Sequence, residues 1–217
     1  MMTTDNDPVS RLAEEKRRSR KLLTLVGTTF FAAAVMTYVG YRISDAMGPM
    51  VDSEGNEVGG RFRLMDASDG TMTDMTFRGR WMLMMFGAVH SVGDSSTKML
   101  TRLSQALHIL DPDGHRIAPV FISLDPQRDL SEQLRRYASQ FPAKIIAGTG
   151  APATLEAVTK EFHATIEKRP DPDWGYSYMT SPQIVIMNPD GRFAGMIPST
   201  ASPEEIQAKL RPLLARQ

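Results

Sequence analysis

Residues 81–96 read WMLMMFGAVHSVGDSS. The first six of these are apolar without interruption, as a strand covered on both faces of a sheet must be. Gly87, Gly93 and Asp94 then break the pattern. From residue 94 onward Met99, Leu100, Leu103, Leu107 and Leu110 recur at helical spacing. The stretch is a buried strand, a tight glycine-containing loop and a long helix. The loop between them is the natural place for a site, because open α/β sheets bind at the C-terminal ends of their strands.

The flanking sequence repeats this grammar. Strands are expected at 62–65, 71–77, 118–123, 144–147, 183–187 and 192–197, and helices at 131–141, 154–162 and 203–215. Ser202-Pro203-Glu204-Glu205 is a strong helix start: a serine cap, proline at the first position, acids in the first turn. Residues 111–114 (DPDG) and 188–191 (NPDG) are turns. Strands separated by helices imply a largely parallel sheet with helices on both faces, and the last two strands form an antiparallel hairpin. That β-α-β-α-β-β-α order predicts an α/β thioredoxin-like fold, a central mixed sheet with flanking helices.

Upstream, residues 22–41 carry no charge and number roughly 20, enough for a helix to cross a bilayer. Arg11, Lys16, Arg17, Arg18, Arg20 and Lys21 precede them, so the N-terminus is expected to stay in the cytoplasm. The expected organisation is a basic tail at 1–21, a transmembrane anchor at 22–43, a flexible Gly- and acid-rich tether at 44–60 and a folded domain at 61–217. In a bacterium this is a single-pass inner-membrane protein with its domain in the periplasm. A retained anchor is preferred over a cleaved signal peptide: the apolar run is long and lacks an A-x-A-like site.

Composition removes several functions. The 217 residues hold 25 Lys+Arg and 25 Asp+Glu, a formal net charge of zero, so no global field favours nucleic acid. There is no cysteine, which excludes disulfides, thiolate catalysis, Fe–S clusters and zinc-thiolate sites. The 15 methionines are read mainly as core fillers, Met82, Met84, Met85 and Met99 among them.

Several ordered pieces resemble the SCO/SenC family of membrane-anchored, thioredoxin-fold copper chaperones. They are Phe77-Arg78-Gly79-Arg80-Trp81, Phe86-Gly87, Val89-His90, the run from Val120 through Leu124-Asp125-Pro126 to Arg128-Asp129, Gly148-Thr149-Gly150, and Met187-Asn188-Pro189-Asp190-Gly191-Arg192-Phe193. The resemblance covers the chain from about Arg61 onward. It implies a role in assembling the CuA centre of cytochrome c oxidase, or in copper handling, with an oxidase subunit or other assembly proteins as partners. It also implies where the chain departs from its kin. The family motif His-Cys-Pro-x-x-Cys-Pro is here His90-Ser91-Val92-Gly93-Asp94-Ser95-Ser96. Ser91 and Ser95 stand where the resemblance places cysteines, and Thr180 stands where it places the third copper ligand, a histidine. Cu(I) selects thiolate, thioether and imidazole donors, and thiol–disulfide exchange needs a thiolate. No enzymatic activity and no resident cofactor are therefore expected.

Other candidates remain. His90 and Met179, with Met99, could supply an imidazole and thioethers to a residual Cu(I) site. A Ser–His nucleophile at Ser91 or Ser95 is disfavoured because His90 is adjacent in sequence; the serines are read instead as satisfying loop backbone groups and capping the helix. Pro182 occupies the place of the cis-proline common in this fold class, or is simply a strand-entry proline. Asp125, Arg128 and Asp129 form either a functional polar cluster or a turn in which an aspartate caps the next helix and pairs with Arg128. Residues 167–178 are expected to be a long loop. Trp174, Tyr176 and Tyr178 in it are candidate partner-binding residues, since aromatics beside arginine are enriched at interfaces. His108, His115 and His163 are read as surface or satisfied structural residues.

Overall fold

The computed structural model describes residues 35–36, 58–180 and 183–215. The expected cytoplasmic tail, most of the anchor and tether, and Pro182 lie outside the described residues. Among the described residues no helix is long and apolar enough to cross a membrane.

Seven strands form one sheet: β1 (Arg63–Asp66), β2 (Thr71–Thr73), β3 (Trp81–Gly87), β4 (Ile117–Ser123), β5 (Ile146–Thr149), β8 (Gln183–Met187) and β9 (Phe193–Pro198). Their spatial order is β2-β1-β5-β4-β3-β8-β9. Between β5 and β8 in sequence, β6 (Ile166–Asp171) and β7 (Gly175–Thr180) make a separate two-stranded sheet. The helices are α1 (Ser95–Leu110), α2 (Ser131–Ala138), α3 (Pro152–Glu161) and α4 (Pro203–Leu214).

β3 lies in the interior of the sheet. It runs parallel to β4, from Trp81 opposite Ile117 to Gly87 opposite Ser123, and antiparallel to β8. Every residue of β3 and β4 is buried. The cause of the unbroken apolar run is visible in the two cores. Trp81, Leu83 and Met85 point to the face packed by Leu100, Leu103, Ile206 and Leu210. Met82, Met84 and Phe86 point to the opposite face, with Phe62, Leu155 and Phe162. Side chains alternate across a strand, so a strand sandwiched between helices must be apolar at every position. Met82, Met84, Met85 and Met99 are buried, as expected of core fillers. α4 begins with a full capping box: the Glu205 N–H donates to Ser202 Oγ at 3.2 Å and the Ser202 N–H to Glu205 Oε2 at 2.7 Å. This is the thioredoxin-like architecture that the element order predicts.

Local expectations shift where side chains compete with the ladder. The strand expected at 71–77 ends at Thr73 and becomes a 3₁₀ turn, Asp74–Phe77. There the Thr73 N–H donates to Thr76 Oγ1 at 3.0 Å. The helix expected at 131–141 stops at Ala138, where the Ser139 hydroxyl donates to the Arg136 carbonyl at 2.8 Å and Pro142 lies just beyond. The helix expected at 154–162 starts earlier, with Pro152 in its first turn. The strand expected at 144–147 is displaced to Ile146–Thr149. Packing begins before residue 61: Val58 is fully buried and the Gly59 N–H donates to the Glu161 carbonyl at 2.7 Å.

The loop expected at 167–178 is instead the β6–β7 hairpin. Its turn is organised by Asp171, whose Oδ1 accepts from the N–H groups of Asp173 (3.0 Å) and Trp174 (3.1 Å), and by Gly175 at φ 73. β6 (IEKRPD) is exposed along almost its whole length, so it lacks the apolar alternation by which strands are recognised.

Candidate functional site

The site lies in the loop between β3 and α1. β3 ends at Gly87, where a Cβ would sit 2.5 Å from Ser96 Oγ and 2.7 Å from a Phe121 ring carbon. Only glycine admits so close a packing of helix start and strand. Beyond it, the Val89 N–H donates to Asp129 Oδ2 at 2.9 Å. Gly93 (φ 58) and Asp94 (φ 53) then take left-handed conformations that turn the chain into α1.

The serines at the two expected cysteine positions have different surroundings. Ser91 is buried, and its Oγ accepts the Ser96 N–H at 3.0 Å. That N–H is one of the first-turn donors of α1 that have no partner within the helix. Asp94, at the helix cap, makes no side-chain capping bond; Ser91 takes over that role from outside the helix. Ser95 is exposed. Thr180 donates its hydroxyl to the Phe86 carbonyl at 2.9 Å, tying the end of β7 to β3.

Ser95 and Thr180 line one cleft of about 650 Å³, together with Val92, Met99, Ile166 and Met179. Ser91 pairs with Tyr178 through an isolated parallel bridge, two residues before Thr180. The three positions therefore converge on one end of the sheet. Of the other metal candidates, Met179 and Met99 share the cleft, but His90 is not among its lining residues. The His90 ring lies on Trp174, with centroids 4.0 Å apart at 48°, and its Nδ1 is buried without a hydrogen-bond partner. No group of three His, Cys, Asp or Glu residues able to hold a metal exists among the described residues. His108, His115 and His163 are exposed.

The cluster Asp125, Arg128 and Asp129 is more than a turn. Asp125 does pair with Arg128, Nε to Oδ2 at 2.5 Å. Neither aspartate caps α2, whose cap residue is Leu130. Asp129 instead accepts from Ser123 Oγ and from Val89 N, bridging the β4–α2 and β3–α1 loops. Its other oxygen is buried and unpaired, and burial pushes its carboxyl above the ordinary carboxylate range against those two donors. Nearby, burial raises the Tyr137 hydroxyl to about 12.

Trp174, Tyr176 and Tyr178 sit on the hairpin, close to the loop. Trp174 is 59% exposed, and Tyr176 and Tyr178 are half-buried with their rings edge to face at 5.7 Å. The Tyr178 N–H approaches the His90 carbonyl at 3.4 Å. Desolvation raises both tyrosine hydroxyls. The tilted ring contact of Trp174 with His90 has no signal in the sequence, because nothing in either segment specifies the other.

A family model described as SCO1/SenC matches residues 51–215. Among curated proteins, the Arabidopsis thaliana mitochondrial protein SCO1 homolog 2 is 28% identical over 159 residues, 72% of this chain and 57% of that protein. The matched region spans about half to three-fifths of the length of such relatives. Among solved structures, copper-bound ScoI of Bradyrhizobium japonicum superposes with a TM-score of 0.65 at 30% identity, covering 71% of this chain and 98% of that one. BsSco, described as a member of the Sco family of cytochrome c oxidase assembly proteins, shares the fold at a TM-score of 0.57 and 16% identity, covering 75% and 96%. The motifs from Phe77 to Phe193, the thioredoxin-like sheet and these matches lead to one conclusion: the chain belongs to the SCO1/SenC family.

Proposed function

We propose that this chain is a membrane-anchored, non-enzymatic accessory in cytochrome c oxidase assembly or copper handling. It works by contact, without thiol redox activity and without the family's Cys/Cys/His copper site. One observation carries the reading: a family member of 217 residues contains no cysteine at all. Ser91 and Ser95 would replace the two cysteines and Thr180 the histidine. Support for that equivalence is their convergence on one loop and cleft. The Ser91 hydroxyl is engaged by the Ser96 N–H, and serine oxygen is a poor donor for Cu(I).

The anchor would be residues 22–43, with residues 1–21 in the cytoplasm and the domain in the bacterial periplasm. The uncharged run and the basic residues before it support this topology. The contact surface would be the aromatic hairpin, with Trp174 exposed and Tyr176 and Tyr178 behind it. A protein of the oxidase or of its copper supply would be the partner, in line with the copper-bound state of the Bradyrhizobium relative.

A second reading is a Cu(I) carrier using His90 and Met179. The observation in its favour is that Met179 and Met99 share the cleft; the packing of the His90 ring against Trp174 weighs against it. Anaerobic competition of the full-length chain against a chromophoric Cu(I) chelator separates the two. The accessory reading expects no binding tighter than micromolar, and a gain of one-to-one binding in the Ser91→Cys, Ser95→Cys, Thr180→His variant. Tight binding by the unaltered chain, lost in the His90→Ala, Met179→Ala variant, would establish the carrier instead.

A further inference from the structure

The β6–β7 hairpin is a wall between two hollows. One face looks on the 650 Å³ cleft beside α1. The other looks on a cavity of about 280 Å³ lined by Leu124, Asp125, Leu155, Lys168 and Tyr178. Ile166 borders both; Glu167 borders only the first and Lys168 only the second, as strand alternation requires. The hairpin is not continuous with the seven-stranded sheet. The main-chain Ser91–Tyr178 bridge and the bond from the Thr180 hydroxyl to the Phe86 carbonyl fix only the last half of β7; the turn and the start of β7 depend on side chains that reach them from elsewhere.

One residue does most of this reaching. Arg128 Nη1 donates to the Trp174 carbonyl at 3.1 Å and to the Tyr176 carbonyl at 2.9 Å. The same guanidinium lies 3.6 Å from the centroid of the Tyr176 ring, and its Nε is held by Asp125. The Tyr176 hydroxyl closes the ring of contacts by donating to the other Asp125 oxygen at 3.0 Å. Asp125 is 1% exposed, so it is a fixed, desolvated anchor. Both hairpin carbonyls belong to the turn and the first residues of β7, where Trp174 is presented.

We propose that Arg128, oriented by Asp125, is the positioning residue of the contact surface: it clasps the hairpin as a separately hinged wall, and thereby sets the cleft width and holds Trp174 against His90. Arginine suits this because a planar fork can stack on a ring while donating to carboxylate and carbonyls at once. The ammonium of lysine is a point donor and cannot. The functional meaning of the clasp rests on reading this end of the domain as a contact surface; the mechanical claim stands apart from it.

The test is amide hydrogen exchange on the full-length chain and its Arg128→Ala, Arg128→Lys and Tyr176→Phe variants. Trp174 emission is read alongside, as the difference from the corresponding Trp174→Phe chains. In both Arg128 variants the amides of Gly175–Thr180 should exchange about tenfold faster or more, while those of β3 and β4 keep their protection. Trp174 emission should change as the indole leaves His90. Tyr176→Phe should have a smaller effect in the same segment, since it removes only the bond to Asp125. Unchanged hairpin protection in Arg128→Ala would overturn the proposal. So would parallel acceleration of hairpin and sheet, which would mean that the hairpin is no separate unit. Full protection in Arg128→Lys would overturn the role of the fork. Tight Cu(I) binding by the unaltered chain would sink the accessory reading and leave these exchange rates as they are.

Discussion

Replacing Ser91 by alanine separates its structural use from any chemical one. The Ser91 hydroxyl accepts a buried first-turn N–H of α1, at Ser96, over 3.0 Å, and both residues are buried. The variant leaves that N–H without a partner where water does not reach. Losing such a cap costs about 1–2 kcal/mol. For a domain of this size each kcal/mol moves the melting temperature by about 2–4 °C. Thermal unfolding of the chain, followed by near-ultraviolet circular dichroism, should therefore show Ser91→Ala melting about 2–8 °C lower. Ser95→Ala is the internal comparison. Its side chain is exposed, and exposed substitutions away from special features stay within about 0.5 kcal/mol. Ser91→Cys should fall between the two, because sulfur is a weaker acceptor. Equal melting of Ser91→Ala and Ser95→Ala would refute the idea that position 91 serves the helix start.

Two further outcomes concern Gly87, at the end of β3, and Asp129, in the β4–α2 loop. Gly87→Ala should destabilise by about 1–3 kcal/mol, because the added carbon meets Ser96 and the fully buried Phe121; urea denaturation of normal midpoint would show that the helix start can move away. Asp129 tests electrostatics. Burial holds its carboxyl above the ordinary value, so its folded pKa exceeds its unfolded one. Its contribution is complete below the unfolded value of 3.8 and is lost as pH rises through the raised folded value. The stability of the unaltered chain relative to Asp129→Asn should therefore improve as pH falls from neutral toward that window. A pH-independent gap in urea midpoints, or one of opposite sign, would contradict the burial account.

The elements legible in the sequence were those whose pattern is set by nearest neighbours. β3 and β4 could be read from unbroken apolar runs, α1 from its leucine spacing and α4 from Ser202 and Glu205. The absence of cysteine needed no structure. The β6–β7 hairpin reads as a loop in the sequence because β6 is solvent-exposed and carries charges and a proline in place of alternation. The polar cluster of Asp125, Arg128 and Asp129 stands out in the sequence, but its partners do not. Of the two readings the sequence leaves open there, the capping turn needs an aspartate cap on α2 that neither residue supplies; Asp129 holds Val89, 40 residues away, instead.

That last distance marks the boundary. The central strands and the helices, the two-sided burial of β3 and β4 and the lack of thiol groups are consequences of local spacing and composition, and the chain carries them in one dimension. The candidate site is different. Arg128 meets the Tyr176 carbonyl across 48 residues, and Thr180 meets the Phe86 carbonyl across 94. Such pairs form only after the sheet has placed the β3–α1 loop, the β4–α2 loop and the hairpin at one end of the domain. No periodicity encodes them, because each partner is selected by the position of the other in the folded state.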